Sequence, residues 1–411
     1  MKVLLSAYAC EPGKGSEPGV GWNWARALSR HHEVWVLTRR NNRPVLEPAI
    51  ERGDCPGLHV VYCDVPDSLR KWKRGKLGIL IYYYLWQWCA YRAAKDLHRE
   101  VAFDVVHHVT FVKYWMPSFL ASLGPCFVWG PVGGGESTPK PFLASFSIRG
   151  RIYERLRDVA RRMGQLDPFV LLTARRSAIG LATTEETAVR LRQIGCGSVR
   201  VYSEAGLTAE EIERLSAFPV RSGNRLRFVS IGNLLHLKGF DLGIKAFARY
   251  VAAGGQGEYW VIGDGPEGEK LHQLAEDLGV GQKVRFWGRL PRHLTLETLA
   301  ECDVLVHPSL HDSGGWVCLE AMAAGRPVVC LDLGGPATQV TDATGIKVKA
   351  HSPEQAIADI ARAFHTLAED ESLRARLSAG GRARVAEEFC WDRKSEFASQ
   401  LYAMAEAGAR L

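Results

Sequence analysis

Two carboxylates, Asp312 and Glu320, stand with seven residues between them in CDVLVHPSLHDSGGWVCLEAMAAGRPVVCLDLGG, residues 302–335. An ionised carboxylate accepts hydrogen bonds from hydroxyl groups and stabilises positive charge that develops beside it. A bare pair at this spacing is weak evidence, because most such pairs are solvated surface; here a polar, glycine-bearing loop between apolar runs sharpens it. Lys238 follows another apolar run and offers a cation to an anionic ligand. His107 and His108 close a third, where a histidine either points into a cleft or packs beneath it.

The elements that must position these groups follow from the apolar pattern. Val304 to Val306 reads as a short strand, His311 to Gly315 as a loop, and Leu319 to Ala324 as a helix of small residues that Glu320 opens and Gly325 stops. Pro327 to Leu331 is a second strand that empties into Gly334-Gly335. Loops of this kind leave the carboxyl ends of parallel strands, where open α/β sheets bind ligands. Leu226 to Ile231 is the strand before Lys238, and an amphipathic helix starts near Phe240. Tyr259 to Ile262 leads into GDGPE with Gly263 and Gly265, and Lys283 to Phe286 leads into WGRL with Arg289. Asn233, Gly263, Gly265, Arg289 and the 302–335 block therefore fall at one sheet edge, the physical reason to bind them into one site.

In the amino-terminal half, Lys2 to Tyr8 is a strand running into CEPGKGSEPGVGWNWARALSRH. There Gly13, Gly15, Gly19 and Gly21 let backbone approach a ligand or turn tightly before a helix around Trp22 to Leu28. The glycine spacing misses the dinucleotide fingerprint, and Glu33 to Leu37 ends in Thr38-Arg39-Arg40 without the acidic ribose partner, so no nicotinamide site is expected. Further strands are residues 59–63, Phe103 to Val106, Phe127 to Trp129 before GPVGGGE, Ile179 to Thr183 and Val199 to Tyr202. FPVRSGNR is the best linker, giving domains 1–218 and 219–385 with a helical segment 386–411.

With 411 residues the chain can bury two substantial cores, and 46% apolar residues exclude a disordered or fibrous protein. A net charge of +7 suits anionic small molecules, membranes or nucleic acid and alone decides among none. No helix-turn-helix, P-loop, zinc motif or internal repeat is present, and nucleic acid is not an expected partner. Ten scattered cysteines read as apolar fillers in a reducing compartment, and the opening MKVLLSAYAC is too short for a signal core, so a cytoplasmic protein is expected. Five of the seven residues from Arg70 to Lys76 are basic, beside an apolar and aromatic run from Leu77 to Tyr91. That run is shorter than the roughly 20 residues of a membrane span and reads as a buried or an interfacial helix. Six arginines against two acids lie between Arg149 and Arg162. These stretches favour an anionic surface or acceptor, with a solvated helix face as the alternative.

The 302–335 block resembles the signature of retaining, nucleotide-sugar-dependent glycosyltransferases of the GT-B fold (family 4, or group 1). That motif is a carboxylate, seven residues, a Glu on a small-residue helix, then Gly-x-Pro-Val. Glu320-Ala321-Met322-Ala323, Gly325, Pro327 and Val328 match it, with Asp312 where the family usually has Glu. Lys238-Gly239 matches the phosphate-binding Lys-Gly, while Asn233 stands where an Arg is usual. The family's Asp-x-x-His-x-His, counted from Asp104, reaches Val109 at its second histidine, which leaves His107 and His108 both as candidates.

The resemblance covers nearly the whole chain and implies an α/β protein with two Rossmann-like domains facing across a cleft, the carboxy-terminal helix crossing back to the first. It implies a UDP- or GDP-sugar as donor substrate, no cofactor, and an acceptor that is a glycan or lipid-linked, in bacterial surface polysaccharide or glycolipid synthesis at the inner face of the plasma membrane. The catalytic candidates are Asp312, Lys238, His107 and His108; the donor-binding candidates are Gly15, Asn233, Gly263, Gly265, Arg289, Gly314, Gly315 and Glu320. No Asp-x-Asp occurs, so no metal is expected. Lys238, amides around Gly314 and Gly315 and the following helix would hold the leaving diphosphate. Glu320 would hold the ribose hydroxyls and Asp312 the donor sugar, with retention and no covalent intermediate. The same architecture serves sugar-nucleotide epimerases, hydrolases and phosphorylases, and a non-catalytic sugar- or lipid-binding relative; Asn233, Asp312 and Val109 are the departures that keep the last reading open.

Overall fold

The computed structural model describes residues 1–52, 55–70, 75–111, 113–221 and 225–406. The chain divides into an N-terminal unit (1–135, 156–204 and 391–411) and a C-terminal unit (136–155 and 205–390). The chain passes from one unit to the other at 135/136, 155/156, 204/205 and 390/391.

The N-terminal sheet contains β1 (Lys2–Ser6), β2 (Glu33–Thr38), β3 (Leu58–Tyr62), β4 (Val105–His108), β5 (Cys126–Val132), β6 (Ile179–Ala182) and β7 (Val199–Val201). The C-terminal sheet contains β8 (Leu226–Ile231), β9 (Gly257–Ile262), β10 (Val284–Gly288), β11 (Val304–His307), β12 (Val328–Leu331) and β13 (Gly345–Val348). Their spatial orders are β3-β2-β1-β4-β5-β6-β7 and β10-β9-β8-β11-β12-β13, and the paired strands are all parallel. Continuous apolar runs such as VLV and VVCL are what strands covered on both faces require. In each sheet the strand order reverses once, between β1 and β4 and between β8 and β11. Loops leaving the carboxyl ends there diverge to opposite faces and open a crevice.

The Leu77–Tyr91 run lies in a helix, Gly75–Val101, that buries Tyr82, Tyr83, Trp86, Ala90 and Ala94 with Leu4, Trp35 and Val106 of the sheet. Of the basic stretch Arg70–Lys76, residues 71–74 lie outside the described residues. No helix among the described residues is long and apolar enough to cross a membrane. The last helix, Trp391–Glu406, is counted with the N-terminal unit. Its Trp391 ring packs edge-on against Trp24 at 5.5 Å, and buried Lys394 donates to the Ser203 carbonyl at 2.6 Å.

The same helix engages β4. Leu5 pairs with His107 and Ser6 with His108, so the two imidazoles point to opposite faces of the sheet. His107 is fully buried, with Nδ1 at 2.5 Å from the Tyr402 hydroxyl and Nε2 at 2.6 Å from the Gly130 carbonyl. His108 is equally buried, with Nδ1 at 3.0 Å from Ser6 Oγ and Nε2 at 3.4 Å from the Tyr83 hydroxyl. Burial lowers their pKa values to about 4 and about 3. The unfolded chain therefore binds more protons at mildly acid pH, and stability is lost as pH falls below the ordinary imidazole value of about 6.5. The urea midpoint should drop between about pH 7 and about pH 5. A His107→Asn variant, weaker at neutral pH, should show a shallower drop; parallel slopes would show that the buried imidazole is not the cause.

Candidate functional site

Because β8 and β11 are adjacent (Phe228 opposite Val304, Val229 opposite Leu305), the loops that leave them emerge side by side. The β8 loop reaches Lys238 and then Gly239, which adopts φ +65° before the helix Phe240–Ala252. A Cβ at Gly239 would lie 2.0 Å from the Pro308 carbonyl oxygen, so only glycine lets this turn rest on the β11 loop. Leu310 N donates to the Leu237 carbonyl at 2.9 Å and ties the loops together.

Lys238 is thereby delivered to Asp312. Its Nζ donates to Asp312 Oδ2 at 2.6 Å, and His307 Nε2, at the end of β11, lies 3.1 Å from the same oxygen. Oδ1 accepts from the amides of Gly314 at 3.2 Å and Gly315 at 3.1 Å. From behind, Gly335 N donates to the Asp312 carbonyl at 2.8 Å and Gln339 Nε2 to the Gly314 carbonyl at 2.5 Å. Burial by itself would raise the Asp312 pKa, but the hydrogen bond from His307 and the Lys238 charge outweigh it and hold the carboxyl well below the usual range. An ammonium, an imidazole and two amides converging on one point make an anion pocket, and here the chain's own carboxylate fills it. The Gly314 and Gly315 amides, expected from the sequence to face a diphosphate, are turned to Asp312.

The following helix is Trp316–Ala323, begun by Gly315 at φ +58°. Glu320 lies in its second turn and does not open it, a correction to the sequence reading. The left-handed glycine starts the helix at Trp316, three residues ahead of the Leu319 start that the small-residue pattern marks. The Glu320 carboxylate is clamped by Arg292, whose Nη2 and Nε both reach Oε1, at 2.8 and 3.2 Å. Arg292 Nη1 donates to Glu211 Oε1 at 2.7 Å, while Glu211 Oε2 caps its own helix by accepting from Thr208 N at 2.9 Å. Burial pushes the Glu320 pKa up, with Arg292 opposing it; Arg292 itself is lowered by burial, but the two glutamates more than reverse that and raise it.

The other donor-side candidates lie on the loops after β8, β9 and β10. Asn233 and Arg289 are exposed. Gly263 backs onto the β8 loop, where a Cβ would come within 1.8 Å of the Gly232 carbonyl oxygen, and its N donates to Gly288 O at 2.8 Å. Gly265 packs on the Leu234 backbone. The structure thus brings Lys238, Asp312, Gly314 and Gly315 into one cluster, with Glu320 on the helix that follows. Gly15, which precedes the helix Ser16–Leu28, belongs to the N-terminal unit with His107 and His108. Sequence reasoning missed His307, Arg292 and Glu211. His307 carries a legible signal, a polar residue closing an apolar strand just before Pro308. Arg292, 28 residues from Glu320, carries none.

Residues 211–384 match the family model described as glycosyl transferases group 1. That match lies within the C-terminal unit. Among curated relatives, a lipopolysaccharide core biosynthesis glycosyltransferase of Rhizobium meliloti is 37% identical over 43% of this chain and 49% of its own length. The 2-deoxystreptamine glucosyltransferase of Streptomyces kanamyceticus is 31% identical over 58% of this chain and 64% of its own. The chain thus spans about half to two thirds of the length of these two relatives. Among solved structures, the Anabaena protein HepE in complex with UDP and glucose aligns over 98% of this chain and all of its own, with 17% identity and a TM-score of 0.57. WaaG, a glycosyltransferase involved in lipopolysaccharide biosynthesis, aligns over 97% and 99% of the two chains, with 18% identity and a TM-score of 0.55. The two parallel α/β sheets are those of the GT-B fold.

Replacing Arg292 by Met would leave Glu320 without its cation. Arg292→Met should cost about 1–2 kcal/mol, less than a fully buried pair because the arginine side chain is 44% exposed. The Arg292→Met/Glu320→Gln double variant should recover part of that loss in a denaturation series. An unrecovered loss would show that Arg292 stabilises the fold by packing alone.

Proposed function

We propose that this chain is a metal-independent, retaining glycosyltransferase that moves a sugar from a UDP- or GDP-sugar to a glycan or lipid-linked acceptor. The observation that carries the proposal is the anion pocket around Asp312, at the strand-order reversal of the group 1 unit. The relatives' names and the UDP and glucose bound by the Anabaena protein support the donor class.

In this reading the donor diphosphate takes the contacts that the Asp312 carboxylate holds in this structure. Lys238 and the glycine amides turn to the phosphates, and the amino end of the Trp316–Ala323 helix adds its partial positive charge. Asp312, released, faces the sugar ring, where positive charge develops as the bond from the anomeric carbon to the phosphate oxygen breaks. The diphosphate leaves with the electron pair, the acceptor oxygen bonds to the same face of the sugar, and the acceptor proton passes to a departing phosphate oxygen. Glu320 presents Oε2 to the ribose hydroxyls, Arg292 holding Oε1 and fixing the carboxylate plane. Gly263, Gly265, Asn233 and Arg289 border the nucleotide. Gly15, His107 and His108 serve the acceptor side, the buried histidines by supporting the β1 and β4 loops. Work on a lipid-linked acceptor would place the protein peripherally at an anionic membrane surface, in surface polysaccharide or glycolipid synthesis.

The test is nucleotide release from UDP-glucose and GDP-mannose in buffer containing EDTA. Lys238→Ala should lower kcat/KM by about 10²–10³. A hydrogen bond to a charged group is worth about 2–3 kcal/mol, so Asp312→Asn should cut kcat roughly 30- to 150-fold without raising donor KM. Glu320→Gln, touching ground and transition states alike, should raise donor KM. Wild-type kcat with lowered thermal stability in Asp312→Asn would make the residue a loop cap. Turnover abolished by EDTA and restored by magnesium would overturn the metal-free step.

A further inference from the structure

We propose that a face of the N-terminal unit, centred on the second half of the helix Ile148–Gln165 and the turn that follows, docks on an anionic lipid membrane. It names the surface for the membrane contact given above and rests on that reading.

The helix is inverted. Its inward side is polar: buried Arg161 donates to the carbonyls of Gly134 and Gly135, at 3.3 Å each, and Gly164 lies so close to Trp115 that a Cβ would meet its side chain at 2.5 Å. Its outward side is apolar. Leu156, Val159, Met163 and Leu166, at helical spacing along one stripe, are 65%, 52%, 69% and 79% exposed. A water-facing helix normally shows the reverse pattern, and contiguous apolar exposure of this kind marks an interaction surface. Arg162, exposed, borders the stripe.

The apolar surface continues beyond the helix. Asp167 caps the next helix, Pro168–Arg176, whose Phe169 and Leu172 are exposed. Phe119 lies 5.0 Å from the Phe169 ring and 6.1 Å from Tyr84, and the Tyr84 hydroxyl donates to Asp167. Ile81 and Trp88, three and four residues from Tyr84 on the same helix face, are exposed as well. Arg92 lies over Trp88 at 5.6 Å.

Charge selects the occupant. Residues 156–176 hold five arginines and two acids, and both acids are engaged: Asp158 with Arg161, and Asp167 with Tyr84 and the amides it caps. Apolar side chains enter the acyl boundary while exposed arginines reach lipid phosphates alongside. A second copy of the chain would set arginine against arginine.

Flotation with vesicles of phosphatidylcholine, alone or with phosphatidylglycerol, tests this on the full chain. Wild type should float with the phosphatidylglycerol vesicles only. A Met163→Gln/Leu166→Gln/Phe169→Gln variant and an Arg162→Gln/Arg176→Gln variant should each lose at least about tenfold in partitioning. Thermal stabilisation by UDP should be unchanged in both, which separates this surface from the donor site. Wild type that stays in solution would overturn both the surface and the membrane reading. Wild-type recovery of both variants would overturn the surface alone. So would a wild-type dimer, seen by light scattering, that the apolar variant converts to monomer.

Discussion

The charge at Asp312 is the interaction on which the C-terminal unit's loops depend. A largely buried carboxylate is tolerable only where donors replace its water, and here an ammonium, an imidazole and two amides do so. The four donors come from three stretches: the β8 loop, the end of β11 and the glycine turn before the Trp316–Ala323 helix. The one anion therefore fixes three pieces of chain against one another. Removing it would leave a lysine and two amides pointing at a vacancy of negative charge, an environment suited to phosphate. The donors that hold these loops are the ones assigned to the phosphates in the proposed reaction.

The sheet makes this convergence possible. Reversal of strand order between β8 and β11 sends the helices that follow them to opposite faces, while the two loops leave adjacent strand ends. Gly239 then lets the Lys238 turn settle on Pro308, and Gly334 and Gly335 let the β12 loop press on Asp312 and Ser313 from behind. A second carboxylate, Glu320, is held by a separate device, the Arg292 bridge to Glu211. The site therefore has one carboxylate held by its own loops and one held by a neighbouring helix.

Much of this was legible in the sequence because parallel strands leave a simple trace, short runs of Val, Ile and Leu followed by glycine. Those runs locate the strand ends, and the strand ends locate Lys238 and Asp312. Helix starts were less legible: Gly315 sets the Trp316 helix by its left-handed backbone, a property the residue letter permits without requiring. Side chains that arrive from distant segments, such as Arg292, leave no periodic mark. His107 and His108 show the opposite problem, since a histidine at a strand end has the same letter whether it faces a ligand or, as here, lies buried against Tyr402 and Ser6. The Arg149–Arg162 stretch read as a basic surface, yet Arg161 is buried while Leu156 and Met163 face outward. Counting charge did not reveal which side of the helix was which.

The central claim is that Asp312 occupies an anion pocket that the donor diphosphate must take over. Calorimetric titration of UDP and GDP into wild type and Asp312→Asn tests it most directly, because a bare nucleotide lacks the sugar that Asp312 is assigned to face. Neutralising the carboxylate removes the competitor for Lys238 and the glycine amides, so the better-binding nucleotide should bind the variant about three- to tenfold more tightly. Equal or weaker binding by Asp312→Asn would contradict the account and place the diphosphate elsewhere.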